Sequence, residues 1–232
     1  SVTVLGQVDV DMSFQKSNDL TELNGRGGLA KETTTWPDLR FDWGDLQKKI
    51  PIIRRLSDFR IVNTSFNRTT EVVGTIENPK EGTSITNRWS PLVSITGTLP
   101  GDWKTTLNAS LSSTETRNDR LGSAATVNNR NQNQYQMSLN KRFVGSGGNS
   151  KKDVDVKIDM SYSSNSSVLH SSSSSRIQAD KSAQIRMTSS ATVRLTTALS
   201  GTFGLELGQE SRPTSNWTRR SVRLSFTTGF NF

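Results

Sequence analysis

Residues 154–162 read Val154-Asp155-Val156-Lys157-Ile158-Asp159-Met160-Ser161-Tyr162, apolar at every even position, with Asp, Lys, Asp and Ser between them. A period of two separates these sets onto opposite faces of a β-strand, whereas a helix would smear the charges around its whole circumference. The segment is therefore a strand with one apolar and one charged face. Its length of about nine residues is what an inclined strand needs to cross the hydrocarbon of a bilayer.

The same alternation recurs along the chain. It opens with Val2, Val4, Val8, Val10, Met12 and Phe14, and returns at Leu39, Phe41 and Trp43. Further sets are Val93, Ile95 and Leu99; Trp103, Leu107 and Leu111; Tyr135, Met137, Leu139 and Phe143; and Ile177, Ile185 and Met187. Two long sets finish the chain, Val193 to Leu207 and Val222 to Phe232, and residues 59–73 are strand-like with an ambiguous face. About ten strands are predicted, each of about nine residues or more, longer than the five or six typical of soluble sandwiches. The opposite faces carry polar and charged residues, among them Asp155, Arg186, Arg194 and Arg223. These four are expected to face an aqueous pore. The expected fold is all-β, an antiparallel transmembrane β-barrel, with residues 1–232 forming a single barrel segment. Because the chain begins inside a strand pattern, it is expected to be a C-terminal piece of a larger barrel.

Connections and tryptophans sharpen this expectation. Short connections are predicted at Leu99 to Asp102, Val144 to Lys152 and Ser189 to Ala191, and long polar loops at Ser112 to Asn131 and Ser163 to Ser175. Such alternation fits tight periplasmic turns and longer outer loops, placing both chain ends in the periplasm. Trp36, Trp89 and Trp217 would open strands entered from long loops, Trp103 follows a short turn, and Trp43 closes a strand. Amphipathic indoles at strand ends are expected to form an aromatic belt at headgroup level. Lys181 is a misfit, since it falls on the apolar face of its strand. The last strand ends on an aromatic, and Phe226, Phe230 and Phe232 are expected to act as an assembly signal for bacterial barrel-assembly machinery.

Composition excludes much chemistry. Only 31% of the 232 residues are hydrophobic, which leaves a thin core for a soluble fold of this length. No run of about 18 apolar residues offers a transmembrane helix. There is no cysteine and a single histidine, His170, in the serine tract, which removes thiolate catalysis, cysteine-bound zinc and most histidine-based sites. Asp9 with Asp11, and Asp155 with Asp159 across Lys157, could pair as acid and base but read more simply as hydrated lining. Gly25 to Gly28 lacks the helix that a phosphate loop requires. No enzyme, cofactor or metal site is expected. The net charge of +8 is dispersed among 21 acids without an aromatic stacking platform, so no nucleic-acid partner is expected either.

The most specific stretch runs from Thr35-Trp36-Pro37-Asp38-Leu39-Arg40-Phe41-Asp42-Trp43-Gly44-Asp45-Leu46 through Gln47-Lys48-Lys49-Ile50-Pro51-Ile52-Ile53-Arg54-Arg55-Leu56 to Phe59-Arg60-Ile61-Val62-Asn63-Thr64-Ser65-Phe66. This order resembles the late part of the Sov/SprA outer-membrane translocon of the type IX secretion system, and Asn87-Arg88-Trp89-Ser90-Pro91-Leu92 looks like another strand opening of that family. Asp45 stands inside the family's Gly-Leu corner, and Ser65-Phe66 stand where it carries His and Tyr. The resemblance covers mainly residues 34–143. It implies a protein-translocation pore in the bacterial outer membrane, with lipid, secreted cargo proteins and a shuttle protein as partners, and residues 44–58 as a short basic periplasmic turn element. Two other readings stay open: a self-sufficient small outer-membrane barrel, and a soluble secreted β-sandwich adhesin.

Overall fold

A computed structural model describes residues 8–23, 26–43, 60–75, 81–119, 124–145, 153–172, 174–194 and 199–230. These form ten strands: β1 (Val8–Leu23), β2 (Arg26–Trp43), β3 (Arg60–Thr75), β4 (Gly82–Leu99), β5 (Trp103–Asn118), β6 (Thr126–Phe143), β7 (Val154–Ser171), β8 (Ser174–Arg194), β9 (Leu199–Arg212) and β10 (Trp217–Phe230). All lie in one sheet in chain order, each antiparallel to the next. The fold is all-β, as the periodicity predicts. The sheet is not closed: β1 and β10 are its two edges, each paired on one side only. Because the strand number is even, β1 starts and β10 ends on the same side of the sheet. That side is called lower here, and the β5–β6 and β9–β10 connections are upper.

Among the described residues no apolar side chain is buried, and Thr105 is the one buried polar side chain. A sandwich would cover one face of each sheet with the other, so the described residues do not have sandwich architecture.

The strands are longer than alternation alone suggests. Ser112 to Asn131 is not a long loop: β5 continues to Asn118 and β6 begins at Thr126, with Leu111 opposite Asn133 and Asn118 opposite Thr126. The serine tract is likewise strand, with Ser163 opposite Gln134 and Ser166 opposite Lys181, and His170 lies in β7 opposite Val127. In these upper parts both faces are polar, so no period of two is visible, yet the backbone ladder continues. Hydroxyl pairs reinforce it across strands, Thr35 with Thr69 at 3.3 Å and Thr86 with Thr114 at 3.1 Å, and Asn133 donates to Ser164 at 3.4 Å.

Two further expectations are corrected. Ser189 to Ala191 is not a turn but the interior of β8, paired with β7 and β9; β8 runs on to Arg194 and β9 begins at Leu199. The alternation of short and long connections does not hold, because β7 ends at Ser171 where β8 starts at Ser174, and residues 213–216 join β9 to β10, both on the side expected to carry long loops. Residues 44–58 and Phe232 lie outside the described residues.

Prolines mark the irregular positions. The β2–β3 register shifts between Thr35 and Asp38, around Pro37, and the β4–β5 register shifts between Trp89 and Val93, around Pro91. Proline has no N–H to give the ladder, so a strand that contains it bulges. At the second shift the Ser65 hydroxyl donates to the Ser90 carbonyl at 2.6 Å. In the β4–β5 turn Gly101 (φ 81°) and Asp102 (φ 62°) both adopt left-handed backbone, which glycine enters freely and aspartate tolerates.

Because Ser163 to Ser171 belongs to the sheet, its amides should exchange with deuterium on the timescale of Val154 to Tyr162. Hydrogen-exchange mass spectrometry of the folded protein would show complete exchange within seconds if the tract were instead a loop.

Candidate functional site

The two faces of the sheet differ in kind, and the register shows how. On one face, Leu107, Met137, Ile158 and Met160 lie among matched apolar partners, with Leu107 opposite Met137, Leu139 opposite Ile158 and Met160 opposite Met187. Phe203 faces Phe226 and Leu205 faces Leu224 further along. These side chains form a continuous apolar band.

The band has an upper and a lower edge that run in step. Above, Trp89 is opposite Leu111, and Leu111 is opposite Asn133, so in β6 the apolar residues start two positions further down, at Tyr135. Tyr135, Tyr162 and Ile185 then share a row that reaches Gln209, and the band again drops two positions, to Leu207 opposite Val222. Below, Trp103 closes β5, Phe143 aligns with Val154 and Val193, and Leu199 aligns with Phe230. The lower edge thus descends in the same two places. On each strand from β5 to β10 the band is about nine residues tall, the length that spans a hydrocarbon core. Its descent of two residues between β5 and β6 and two more between β8 and β9 corresponds, at about 3.3 Å per residue and 4.8 Å per strand, to a tilt of about 30°. Vertical height is then roughly 23 Å, against the roughly 25 Å apolar belt of outer-membrane barrels, whose strands tilt about 35–45°.

Aromatic rings line the edges. Phe14 and Trp36 meet edge to face at 6.0 Å, Phe66 and Trp89 lie 4.5 Å apart, and Tyr135 stacks on Tyr162 at 6.0 Å along the upper edge. At the lower edge Trp103 meets Phe143 at 6.2 Å. The Lys141 ammonium lies 5.6 Å from the Trp103 ring and 4.6 Å from the Phe143 ring, so the one charge inside the band from β5 to β10 points to its rim. Trp36 and Trp89 sit mid-strand rather than at strand starts, because β2 and β4 continue upward as polar sheet. Trp43 closes β2 opposite Val8. Trp217 does not join the row: it lies five positions above Val222 on the opposite face, with the Arg212 guanidinium 5.5 Å from its ring. Alternation alone could have separated it from the others, since it is odd-numbered in a strand whose apolar members are even. Phe226 sits in the band at 72% exposure, and Phe230 ends β10 in register with Leu199.

The expected pore-facing residues share the other face and form two ionic groups. Arg194 reaches Asp155 at 3.6 Å, Arg142 reaches Asp155 at 3.9 Å, and Arg142 also contacts Asp153. Farther up, Glu206 accepts from Arg186 at 2.6 Å and lies 3.9 Å from Arg223. Lys157 pairs with Asp159 at 2.9 Å, and Asp159 accepts from Ser138 at 2.8 Å. Thus the four named residues fall into two pairs that do not contact one another. Sequence reading overlooked Glu206, whose signal was its even number between polar-face Ser200 and Thr202 and the glycines Gly204 and Gly208. Those glycines are filled across the ladder by hydroxyls: a Cβ on Gly204 would lie 2.5 Å from the Ser225 hydroxyl, and one on Gly208 2.6 Å from the Ser221 hydroxyl. Among the described residues no group of His, Asp and Glu could hold a metal ion.

No family model matches the sequence, and no curated protein matches it. Among solved structures it is similar to the ferric citrate transporter FecA in its unliganded form, with a TM-score of 0.47 and 8% identity. The match covers 92% of this chain and 35% of FecA, so the chain spans about a third of that protein's length. At that distance the likeness carries no argument about this chain.

A side chain at Gly204 must turn the exposed Ser225 hydroxyl aside. Gly204→Val should therefore lower stability by no more than about 1 kcal/mol, the cost of that rotation and of the lost local fit. Ser225→Ala in the same chain should recover most of the loss, measured by denaturant unfolding; no recovery would place the strain elsewhere.

Proposed function

We propose that this chain is a wall segment of a transmembrane β-barrel in the bacterial outer membrane, with its apolar band against lipid and its ionic face lining an aqueous pore. The observation that carries this reading is the apolar band of constant height, inclined to the strands and covered by none of the described residues. Val222, Leu224 and Phe226 are 71%, 66% and 72% exposed, which water would penalise heavily across a whole sheet face. Hydrocarbon covers such a face without a second protein layer, and the antiparallel ladder satisfies the backbone groups that lipid cannot.

Both edges of the sheet are open to further strands, which favours a wall continued by other strands over a self-sufficient small barrel. The resemblance of residues 34–143 to the Sov/SprA translocon supports a protein-conducting pore of type IX secretion, with secreted cargo, a shuttle protein and barrel-assembly machinery as its partners. In that reading the lower side, where β1 starts and β10 ends, is periplasmic. The chain's contribution is a smooth, hydrated, ionically balanced wall and not a chemical step.

Cysteine labelling tests the two faces. The Arg223 side chain is 76% exposed in the isolated sheet, close to Phe226, so only a covering bilayer makes the two differ. In intact membranes a water-soluble maleimide should label cysteines at Asp155, Arg194 and Arg223 and leave those at Ile158, Leu205 and Phe226 unlabelled. Labelling of both sets would rule out the bilayer reading. In folding assays with lipid, Leu224→Arg should cost about 2–4 kcal/mol if near the midplane, while Arg223→Ser should cost much less.

A further inference from the structure

Immediately above the upper edge of the apolar band, its face turns cationic. Arg68 lies two positions above Phe66 in β3, Arg220 two positions above Val222 in β10, and Lys181 four positions above Ile185 in β8. The same face continues through these positions: Arg68 is opposite Asn87, Arg220 opposite Gln209, and Lys181 opposite Ser166. Lys181 is therefore not in the midst of the apolar surface, as its strand pattern suggests, but above it. All three side chains are exposed, and none makes an ion pair within the described residues.

Their neighbours at this level are neutralised. Lys16 pairs with Glu32 at 2.9 Å and Arg117 with Asp119 at 2.6 Å, while Glu115, the acid of this face, is on β5, two strands from Arg68 and three from Lys181. At the lower edge the band's own cation, Lys141, is held over the Trp103 and Phe143 rings.

We propose that Arg68, Lys181 and Arg220 form a docking surface for phosphate-bearing lipid headgroups of the leaflet on the upper side. The inference rests on the bilayer reading above and adds a preference for one leaflet chemistry. The geometry supplies the reasons. A lipid whose acyl chains lie against Leu205, Leu207 and Val222 has its headgroup at the height of Arg220, and a guanidinium binds phosphate through paired N–H donors. Long cationic side chains just outside an apolar surface keep their stems on it and their charges in the headgroup layer. Each such cation near an anionic surface is worth about a fivefold preference, and because the three stand on β3, β8 and β10 each acts on its own lipid.

The test uses the full chain reconstituted into vesicles of phosphatidylcholine alone or mixed with a phosphorylated glycolipid. Lipid retained per protein after mild detergent extraction is measured by mass spectrometry. The parent chain should retain the phosphorylated lipid about fivefold over phosphatidylcholine, each of R68Q, K181Q and R220Q should lose about a third of that excess, and the triple variant should approach parity. Retention by the triple variant equal to the parent overturns the proposal, as does displacement by inorganic phosphate, which would mean a site for the free anion. Binding of an acidic peptide in preference to the lipid would overturn it in favour of a protein partner. In the same vesicles, a cysteine at Phe226 reports separately on the band. If that cysteine stays protected from maleimide while lipid preference is absent, the headgroup inference fails and the bilayer reading stands. If it labels freely in both vesicles, both fail.

Discussion

The structure depends on one apolar face that no part of the described chain covers. Ordering a residue costs about 1–2 kcal/mol of backbone entropy, and a soluble domain offsets this by burying side chains between layers. Here a single layer buries almost nothing against itself. Whatever covers the face must therefore be extensive, apolar and of fixed thickness. A band about nine residues tall on successive strands, rimmed by Trp36, Trp89, Tyr135 and Tyr162 above and Trp103 and Phe143 below, is the sheet's record of that requirement.

The opposite face obeys a different rule. Water can reach it, so charge is tolerated, but neighbouring strands bring like charges together unless opposite ones intervene. Asp155 lies between Arg142 and Arg194, and Glu206 between Arg186 and Arg223, so each carboxylate screens two guanidiniums. With both partners partly exposed, such pairs add little stability. Their effect is on the surface: alternating sign, with small residues such as Gly204 and Gly208 between, makes a wall without a strongly charged patch.

Above the band, both faces are polar and the sheet persists through its backbone ladder and its hydroxyl pairs. Two prolines within described strands lie near the boundary between the two regimes, Pro37 beside Trp36 and Pro91 close to Trp89, and the register slips at both. A bulge increases local twist, so these positions are where the strands can re-aim as they pass from one surrounding medium to another. The open edges at β1 and β10 remain pairing surfaces of the same kind that hold every interior strand.

The sequence by itself determined the ten strands, their order of appearance and the two-faced character of β5, β6, β7 and β10, because a strand with lipid on one side and water on the other must alternate. That Asp155, Arg186, Arg194 and Arg223 share the polar face was legible for the same reason. The serine tract, the extent of β5 and β6, and the β8–β9 reversal were not, because a strand wetted on both sides has no alternation and Ser189 interrupts one without ending it. Lys181 shows the other limit: it could be placed only by its height relative to neighbouring strands. Pairing register decides that height, and register is a relation between distant segments. It alone revealed that the band slopes, that its two edges run in step, and that three cations stand just above it.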